Sequence, residues 1–331
     1  MDIIDTENNL KAKIKILNET LWEYKVLEPT INNWLANFTT ENEKIHALYL
    51  LSKFMYFGAI PMKLLIKYLY KDLFRSNIIK NIRKANGNTL DGELIEGLFL
   101  EEVKKTRFLG IGNPSESGPH LLYLFRQENK LPTHMFLNTD GIIREEVGGK
   151  VFISPEVNRY IFIDDFCGSG SQVTNDKNIM ESIDEIRILN PNIEVNYLML
   201  FGTESGIHKI RKSLKFDNVE ACIEFDDSYK CFGKNSRIFP NRKDFAFNKK
   251  FTEEFCFRLG RILFYDIHLK TGHSGQDLED ISDYSALGWG NCQLLLGFSH
   301  NTPDNTLPII WYDETGIAWT PIFKRYNKIY S

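Results

Sequence analysis

The chain has 331 residues, of which 43% are hydrophobic, 13% aromatic and 25% charged, and its formal net charge at pH 7 is -4. This composition is typical of a globular protein with enough apolar residues for a sizeable core, and the length allows one large domain or two ordinary ones. The small negative charge excludes a global attraction to nucleic acid or to an anionic membrane. We therefore expect no membrane contact, and direct nucleic-acid binding has no support in the overall charge.

The cysteines and the amino terminus suggest where the protein resides. None of the five cysteines forms a CxxC pair, which argues against a zinc ribbon or a dithiol redox site, and reduced thiols fit a cytoplasmic protein. The acidic amino terminus lacks the basic start and apolar run of a signal peptide. No apolar stretch is long enough to span a bilayer. The sequence thus predicts a cytoplasmic protein.

Residues 1–100 have the pattern of a helical extension. Apolar residues recur at helical spacing over Ala47–Met55, which predicts an amphipathic helix. Gly58 breaks that helix, and Pro61 suits the first turn of the next one, which runs through Tyr68. We therefore assign residues 1–100 to a helical domain that precedes the main one.

A third helix of this extension is predicted over Ser76–Lys84, ending near Asn86-Gly87. Three short helices with tight joints are compatible with a winged-helix-like unit, or with a bundle that packs on the main domain or on a protein partner. Its basic residues Lys80, Arg83 and Lys84 are explained by a solvated helix face as well as by nucleic-acid contact. We favour the bundle.

From residue 101 onward, predicted strands alternate with predicted helices. Short apolar runs predict strands at Phe108–Ile111, His134–Leu137, Tyr160–Ile163, Val195–Phe201, Val219–Phe225 and Cys292–Phe298. Helical spacing is found over Leu121–Gln127, around Ile179, Ile183 and Ile186, over Gly206–Leu214 and over Phe251–Ile267. The alternation predicts an α/β fold with a mostly parallel, doubly wound sheet over residues 101–331. The less regular region from about residue 226 would form a substrate-side hood.

The most informative segment follows the apolar strand Tyr160–Ile163. It reads Asp164-Asp165-Phe166-Cys167-Gly168-Ser169-Gly170-Ser171-Gln172. Backbone N–H groups at a helix start favour a phosphate, and glycines let the backbone approach it. Carboxylates at the strand end can accept hydrogen bonds from ribose hydroxyls and stabilise an oxocarbenium-like transition state. The pattern therefore predicts a sugar-phosphate site.

This segment resembles the signature of type I phosphoribosyltransferases, in which an apolar strand, two acidic residues and a Thr/Ser/Gly loop hold a ribose 5′-phosphate. The resemblance implies that Asp164 and Asp165 are catalytic and that Cys167, Gly168, Ser169, Gly170, Ser171 and Gln172 bind the phosphate. It also implies Mg²⁺ as cofactor, bridging phosphate and ribose oxygens, so that the two aspartates act on the metal indirectly. Gln172 departs from the family pattern, which usually has Thr at this position.

The same resemblance predicts a pyrophosphate-binding loop after an earlier strand. Ser115, Glu116, Ser117 and Gly118 stand in that place, although the usual basic residue is absent and Glu116 is acidic. The family also has a flexible loop between the two motifs, and Asp140–Lys150 is its equivalent by position. The ribose-phosphate half of the site is thus better supported than the pyrophosphate half.

More specifically, the chain resembles the phosphoribosyltransferase-like family PRTase-CE, which is associated with bacterial conflict and anti-phage systems. The helical extension, the Asp-Asp-Phe-x-Gly-Ser-Gly core and the stretch Asn301–Trp311 carry this resemblance. It implies a defence effector that binds phosphoribosyl pyrophosphate or a nucleotide and acts at the ribose anomeric carbon. The candidates for base or acceptor recognition are Asn301, Asn305, Trp311 and Arg325. Asx turns, core packing and a surface ion pair explain these residues equally well.

Other functions stay open at the level of sequence. The fold could be a nucleotide-binding module that is non-catalytic or controlled by a partner. An S-adenosylmethionine-dependent methyltransferase also has a strand followed by a Gly-x-Gly loop, but no Pro-Pro dipeptide for its second motif occurs here, and Asp165 replaces the usual Pro. A P-loop is disfavoured because no Gly-Lys-Ser/Thr follows the glycines. The simplest alternative is a tight turn without a ligand.

Overall fold

The computed structural model describes residues 3–112, 117–240 and 246–326. The chain forms two compact units, one made of Met1–Met62 with Asp226–Ser331 and the other of Lys63–Phe225. This grouping differs from a boundary at residue 100. Residues 63–100 group with the main parallel sheet, and the segment from residue 226 groups with the amino-terminal helices.

Helices and strands are numbered in chain order. The α-helices of the described residues are α1 (Ile3–Thr20), α2 (Glu28–Leu35), α3 (Glu41–Leu51), α4 (Ala59–Tyr68), α5 (Ser76–Ala85), α6 (Gly92–Lys104), α7 (Ser117–Glu128), α8 (Ser171–Asn175), α9 (Lys177–Leu189), α10 (Glu204–Lys212), α11 (Lys249–Lys270), α12 (Gly275–Ser285) and α13 (Pro308–Trp311). The strands are β1 (Met55–Phe57), β2 (Thr106–Gly110), β3 (Ile143–Glu146), β4 (Gly149–Phe152), β5 (Arg159–Cys167), β6 (Glu194–Thr203), β7 (Asn218–Phe225) and β8 (Leu296–Phe298).

A four-stranded parallel sheet in the order β2-β5-β6-β7 lies at the centre of the second unit. Gly110 at the end of β2 is opposite Ile163, and Asp164 on β5 is opposite Met199 on β6. Because all four strands run in the same direction, their carboxyl ends meet at one edge of the sheet. The mostly parallel sheet predicted from the sequence is confirmed.

Helices cover both faces of this sheet. On one face, apolar residues of the strands share a core with isoleucines of α9 and α10, including Ile183 and Ile210. On the other face, the ring of Phe108 on β2 lies 5.2 Å from that of Phe74 and 5.1 Å from that of Phe125 on α7, measured between centroids. A sheet buried on both sides explains why its strands are continuous apolar runs, and it confirms the doubly wound class.

The first unit has its own core, which the amino-terminal helices share with the carboxyl-terminal segment. The side chains of Trp22, Trp34 and Trp311 are at most 1% exposed. The indole N–H of Trp34 donates a hydrogen bond of 2.7 Å to the carbonyl of Ile309. The helical extension predicted from the sequence therefore buries its apolar side chains against residues that are far away in the chain.

Two local predictions are wrong. The apolar stripe over Ala47–Met55 predicts a helix through Met55, but α3 ends at Leu51, and Met55–Phe57 forms β1, which pairs in parallel with β8. His134–Leu137 is predicted as a strand, but Thr133–Met135 forms a 3-10 turn, and Phe136 makes an isolated parallel bridge to Phe108. In both segments, a distant partner determines the backbone conformation of a short apolar run.

The helices predicted through Tyr68 and over Ser76–Lys84 are confirmed as α4 and α5. Between them the chain forms π-helical turns over Leu69–Arg75, so the helical backbone continues without a break. Gly87 follows α5 with a φ of 63°, which suits a residue without a side chain. Within the described residues, no helix combines the length and apolar character that crossing a membrane would require.

Candidate functional site

The acidic pair lies inside the carboxyl-terminal part of β5, which continues to Cys167. The side chains of Asp164 and Asp165 are 5% and 8% exposed. Oδ2 of Asp164 accepts a hydrogen bond of 2.6 Å from the hydroxyl of Tyr197 on β6, and its Oδ1 accepts one of 2.9 Å from the backbone N–H of Asp165. Two neighbouring carboxylates are thus buried at the edge where parallel strands end.

The electrostatics of this pair are unusual. Burial, followed by the charge of Asp165, raises the pKa of Asp164 well above its ordinary value, although the hydrogen bond from Tyr197 acts in the opposite direction. Burial and the charge of Asp164 also raise the pKa of Tyr197, which therefore remains a donor. A cation or a set of hydroxyl donors would stabilise the charged form of Asp164. The acidic pair is therefore a position where a cation or hydroxyl donors would bind favourably.

The loop Gly168–Ser171 connects β5 to α8 by a tight backbone path. Gly170 has a φ of 70°, a conformation that L residues rarely adopt. Its carbonyl accepts a hydrogen bond of 2.9 Å from Oγ1 of Thr174, and the hydroxyl of Ser169 accepts one of 3.3 Å from the backbone N–H of Ser171. These short-range bonds hold the loop in one conformation next to the acidic pair.

The next strand and helix fix this loop from the side. Oγ1 of Thr203, at the end of β6, donates a hydrogen bond of 2.6 Å to the carbonyl of Gly168 and accepts one of 3.0 Å from the backbone N–H of Gly206. A methyl group added at Gly206 would lie 2.1 Å from the carbonyl oxygen of Gly168, and one added at Gly170 would lie 2.8 Å from that of Gly206. The loop therefore packs directly on the first turn of α10, where only glycines fit.

A cation stands beside the loop. Nζ of Lys209, an exposed residue of α10, donates a hydrogen bond of 2.8 Å to the hydroxyl of Ser171. A phosphate on the loop would meet this charge as well as the loop's own hydrogen-bond donors. Sequence reasoning missed Tyr197, Thr203 and Lys209, which all belong to β6 and α10. The sequence does contain one signal that could have pointed to them, because β6 is the next predicted parallel strand and ends in a hydroxyl residue.

The remaining residues of the predicted phosphate loop differ in exposure. Cys167 is 4% exposed and lies at the end of β5, opposite Gly202 of β6. Gln172 is exposed on α8. The buried cysteine therefore packs beneath the loop, whereas the side chain of Gln172 is open to solvent. Their roles toward a phosphate stay predictions.

The upstream loop leaves the sheet beside the acidic pair. The backbone N–H of Ile111 donates a hydrogen bond of 3.3 Å to the carbonyl of Ile163, the residue that precedes Asp164. Of the predicted pyrophosphate loop, Ser115 and Glu116 lie outside the described residues, and Ser117 and Gly118 begin α7. The chain thus approaches the acidic pair at the expected point, while the pyrophosphate contact itself stays a prediction.

The segment Asp140–Lys150, assigned to the flexible loop, contains a large part of an antiparallel hairpin formed by β3 and β4. Its basic residues form ion pairs within the second unit. A guanidinium nitrogen of Arg144 lies 2.5 Å from a carboxylate oxygen of Glu146, and Lys150 pairs with Glu185 of α9. The assignment to a loop that closes over a ligand stays a prediction.

The candidates for base or acceptor recognition belong to the first unit. All four take part in contacts that stabilise that unit, and Asn305 and Trp311 are 5% and 1% exposed. Asn301 accepts hydrogen bonds from the backbone of Thr302 and Tyr326, Asn305 donates to the carbonyl of Trp289, Trp311 donates to that of Thr306, and Arg325 pairs with Asp304. Recognition of a base by these residues stays a prediction.

The donor set favours a metal that is shared with a ligand. The described residues contain no group of three or more His, Cys, Asp or Glu side chains that could hold a metal ion. Mg²⁺ usually keeps several waters and is bound through one or two carboxylates together with substrate phosphates. A pair of buried carboxylates beside a glycine-serine loop fits that mode of binding.

Comparisons with known proteins extend these observations. The family model PRTase-CE matches residues 31–325. Orotate phosphoribosyltransferase from Aeropyrum pernix aligns at 12% identity over 48% of this chain and 75% of its own, with a TM-score of 0.25. The AQ2163 protein from Aquifex aeolicus aligns at 12% identity over 60% and 83%, with a TM-score of 0.27. Neither of these TM-scores supports a structural argument. A search of curated proteins finds no match.

Proposed function

This chain belongs to the phosphoribosyltransferase-like family PRTase-CE, and on that premise we propose that it binds phosphoribosyl pyrophosphate or a nucleotide together with Mg²⁺ and acts at the ribose anomeric carbon. The observation that carries the proposal is the buried pair Asp164 and Asp165 on the same strand that leads into the loop Gly168–Ser171. A carboxylate pair and an adjacent loop with a nearby cation complement the hydroxyls and the 5′-phosphate of one ribose.

The phosphate half of the proposed site consists of backbone and side-chain donors. Gly168 and Gly170 have no side chains to block an anion, and the hydroxyls of Ser169 and Ser171 can donate. Lys209 supplies a positive charge within hydrogen-bond distance of Ser171. Because Thr203 and Gly206 hold the loop in place before any ligand binds, little conformational entropy would be lost on binding.

The ribose half uses the acidic pair. Asp164 and Asp165 would accept hydrogen bonds from the vicinal hydroxyls, and their negative charge would stabilise the positive charge that develops at the anomeric carbon. Tyr197 holds the carboxylate of Asp164 in position by its hydrogen bond. Mg²⁺, when bound, would neutralise charge on the phosphate oxygens, and Asp164 and Asp165 are the residues that would hold it, together with the ligand.

The proposed chemistry is a substitution at the anomeric carbon. The bond from this carbon to the pyrophosphate oxygen breaks, and pyrophosphate leaves with the electron pair. A nitrogen of the acceptor base forms the new bond and loses its proton, or water takes its place and a hydrolysis results. With a nucleotide substrate, the bond from the anomeric carbon to the base nitrogen breaks instead, the base leaves with the electron pair and takes up a proton, and pyrophosphate or water forms the new bond.

The test is turnover by the full chain with phosphoribosyl pyrophosphate, a panel of bases and nucleotides, and Mg²⁺. We expect release of pyrophosphate or of a base, and a loss of about 100-fold or more in Asp164→Asn and Asp165→Asn. Asp184→Asn is the matched control, because Asp184 is an exposed carboxylate of the same unit that pairs with Lys215. Its rate should equal that of the unsubstituted protein.

Other outcomes of this experiment point to the alternative functions. Tight binding without turnover across the panel would contradict the enzyme and support a non-catalytic or partner-regulated nucleotide-binding module. Binding of S-adenosylmethionine in preference to the ribose phosphates would contradict the whole proposal and favour a methyltransferase. Rates for both Asp164→Asn and Asp165→Asn that equal the rate of Asp184→Asn would remove the acidic pair from the mechanism.

The biological setting is part of the same proposal. The family resemblance implies an anti-phage effector, the cysteine pattern favours a cytoplasmic location, and the amino-terminal helical region is the proposed binding site for a protein partner. We expect a bacterial host that expresses the protein to reduce phage plating, and we expect Asp165→Asn to abolish this protection. If hosts that express the unsubstituted protein and hosts that express Asp165→Asn show equal phage plating, the defence role does not depend on the proposed chemistry.

A further inference from the structure

A cleft lies at the opposite end of the parallel sheet from the acidic pair. It has a volume of about 200 Å³ and lies between α5, with the π-helical turns that precede it, and the amino-terminal halves of β5, β6 and β7. Arg159, at the start of β5, contributes to the lining and is five residues before Asp164. At roughly 3.3 Å per residue, Arg159 is about 16 Å from Asp164 along this strand, and Ile161, which also lines the cleft, is about 10 Å from it.

One residue of the cleft lining carries a buried polar atom without a partner. Asn196 of β6 lines the cleft and is 6% exposed, and its Oδ1 has no hydrogen-bond partner. Its Nδ2 donates a hydrogen bond of 2.7 Å to a carboxylate oxygen of Glu194, which fixes the orientation of the amide. A buried acceptor left unpaired costs free energy. A ligand with an N–H donor would recover that free energy.

The lining of the cleft contains two lysines as well as the carboxylates of Glu194 and Glu220. Lys80 and Lys84 lie one turn apart on α5, both line the cleft, and both are exposed. Neither forms an ion pair with any described residue. Arg159 is different, because Glu194 and Glu102 neutralise its guanidinium. The two lysines are therefore the available cations, and closely spaced lysine ammonium groups suit a phosphate.

The walls between the two polar ends are suited to a flat ring. Leu73 on the helical side and Ile161 and Leu198 on the sheet side are apolar residues of the lining. Leu73 belongs to the π-helical turns Leu69–Arg75, a conformation that is frequent at functional sites. The cleft thus combines an apolar middle, an acceptor that lacks a donor at its base, and two cations at its mouth.

From this combination we infer that the cleft is a second ligand site, for a nucleotide whose base carries an exocyclic amino group. The amino group donates to Oδ1 of Asn196, and a ring nitrogen beside it accepts from Nδ2, the pairing that side-chain amides make with adenine. The base lies between Leu73 and Ile161, and the phosphate lies against Lys80 and Lys84. This site is distinct from the proposed ribose-phosphate site and uses none of its residues.

The inference is tested by calorimetric titration of the full chain with AMP and with IMP, which has a carbonyl oxygen in place of the amino group. We expect AMP to bind at least tenfold more tightly than IMP, because that carbonyl would face the oxygen of Asn196. In Asn196→Leu, which replaces the amide with an apolar group of similar size, AMP and IMP should bind with equal affinity. Equal affinities for the unsubstituted protein would overturn the inference.

A second pair of variants maps the bound phosphate even if Asn196→Leu does not fold. Lys80→Ala/Lys84→Ala should weaken AMP binding at least tenfold. Lys63→Ala/Lys67→Ala is the matched control, because it removes two exposed lysines one turn apart from α4. Lys209→Ala reports AMP that binds at the proposed ribose-phosphate site, because Lys209 hydrogen-bonds Ser171 of that loop. AMP binding that depends on Lys209 and not on Lys80 and Lys84 would assign the nucleotide to the loop at the other end of the sheet and overturn the inference.

Discussion

The two ends of the parallel sheet differ in how their buried charges are compensated. At the amino end, Arg159 lies between Glu194 and Glu102, so that opposite charges neutralise each other. At the carboxyl end, Asp164 and Asp165 are adjacent like charges, and the neighbour that donates to Asp164 is the neutral hydroxyl of Tyr197. Of these two ends, the carboxyl end therefore has the uncompensated buried negative charge that a cationic ligand or transition state can neutralise.

This difference separates chemistry from recognition. A buried carboxylate pair costs stability, and it favours a ligand that brings a metal ion, hydroxyls or developing positive charge. At the amino end the unsatisfied group is a neutral amide, which can select a hydrogen-bond donor but cannot stabilise a charged transition state. We therefore expect turnover at the carboxyl end and ligand selection at the amino end of the same sheet.

Gly206→Ala should produce the largest difference between the two ends of the sheet, because it affects the carboxyl end only. The added methyl would lie 2.1 Å from the carbonyl oxygen of Gly168, so the loop or α10 must move. We expect a loss of about 1–3 kcal/mol in the free energy of unfolding and a phosphoribosyl pyrophosphate affinity at least tenfold lower. AMP binding in the cleft at the amino end should be retained. Urea unfolding and calorimetry measure these quantities.

Gly97→Ala is the control for that substitution. Gly97 lies on α6 in the same unit, is exposed, and has no atom within 4 Å of an added methyl. Alanine favours a helix over glycine by up to about 1 kcal/mol, so this variant should be more stable than the unsubstituted protein and should bind both ligands unchanged. If both glycine variants lose affinity equally, contact between the loop and α10 is not what shapes the site.

Lys209→Ala should act on the same end without the loss of stability expected for Gly206→Ala. It removes a cation that hydrogen-bonds Ser171, and hydrogen bonds to charged groups contribute about 1.5–3 kcal/mol. We expect affinity for phosphoribosyl pyrophosphate to fall at least tenfold, with no change in AMP binding at the other end. Lys212→Ala removes the same charge from the exposed surface of α10 and should change neither affinity. Similar losses for the two variants would indicate a general charge effect.

Much of the carboxyl end can be predicted from the sequence. Tyr160–Ile163 is fully apolar because both faces of β5 are covered, and the acidic pair and glycines that follow mark the end of a buried strand. The residues that support the loop cannot be found in this way. Thr203 and Lys209 contact the loop because β6 lies next to β5 in the sheet. A local sequence pattern does not reveal the order of strands in a sheet.

The parts that sequence reasoning gets wrong or misses depend on distant partners. Met55 continues a helical stripe, yet it pairs with Leu296 in a strand. Asn196 is the polar residue within the predicted apolar strand Val195–Phe201, and the sequence gives no sign that its oxygen lacks a donor. Lys80 and Lys84 look like an ordinary solvated helix face, and only the cleft beside them suggests a ligand. Local patterns predict elements, whereas the packing of those elements decides which polar groups stay unsatisfied.

The pH dependence of stability is the smallest expected effect and tests the acidic pair without a ligand. Because burial and Asp165 raise the pKa of Asp164 in the folded state, the folded protein holds this proton more tightly than the unfolded chain. The associated stability is present below the unfolded pKa, near 3.9, and is lost as pH rises through the folded pKa. Asp164→Asn cannot ionise here, yet its amide oxygen can still accept from Tyr197. Its free energy of unfolding, relative to the unsubstituted protein, should therefore increase as pH rises from 4 to 8. Asp184→Asn, an exposed control, should lack this trend, and a relative stability of Asp164→Asn that falls or stays constant with pH would contradict an uncompensated acidic pair.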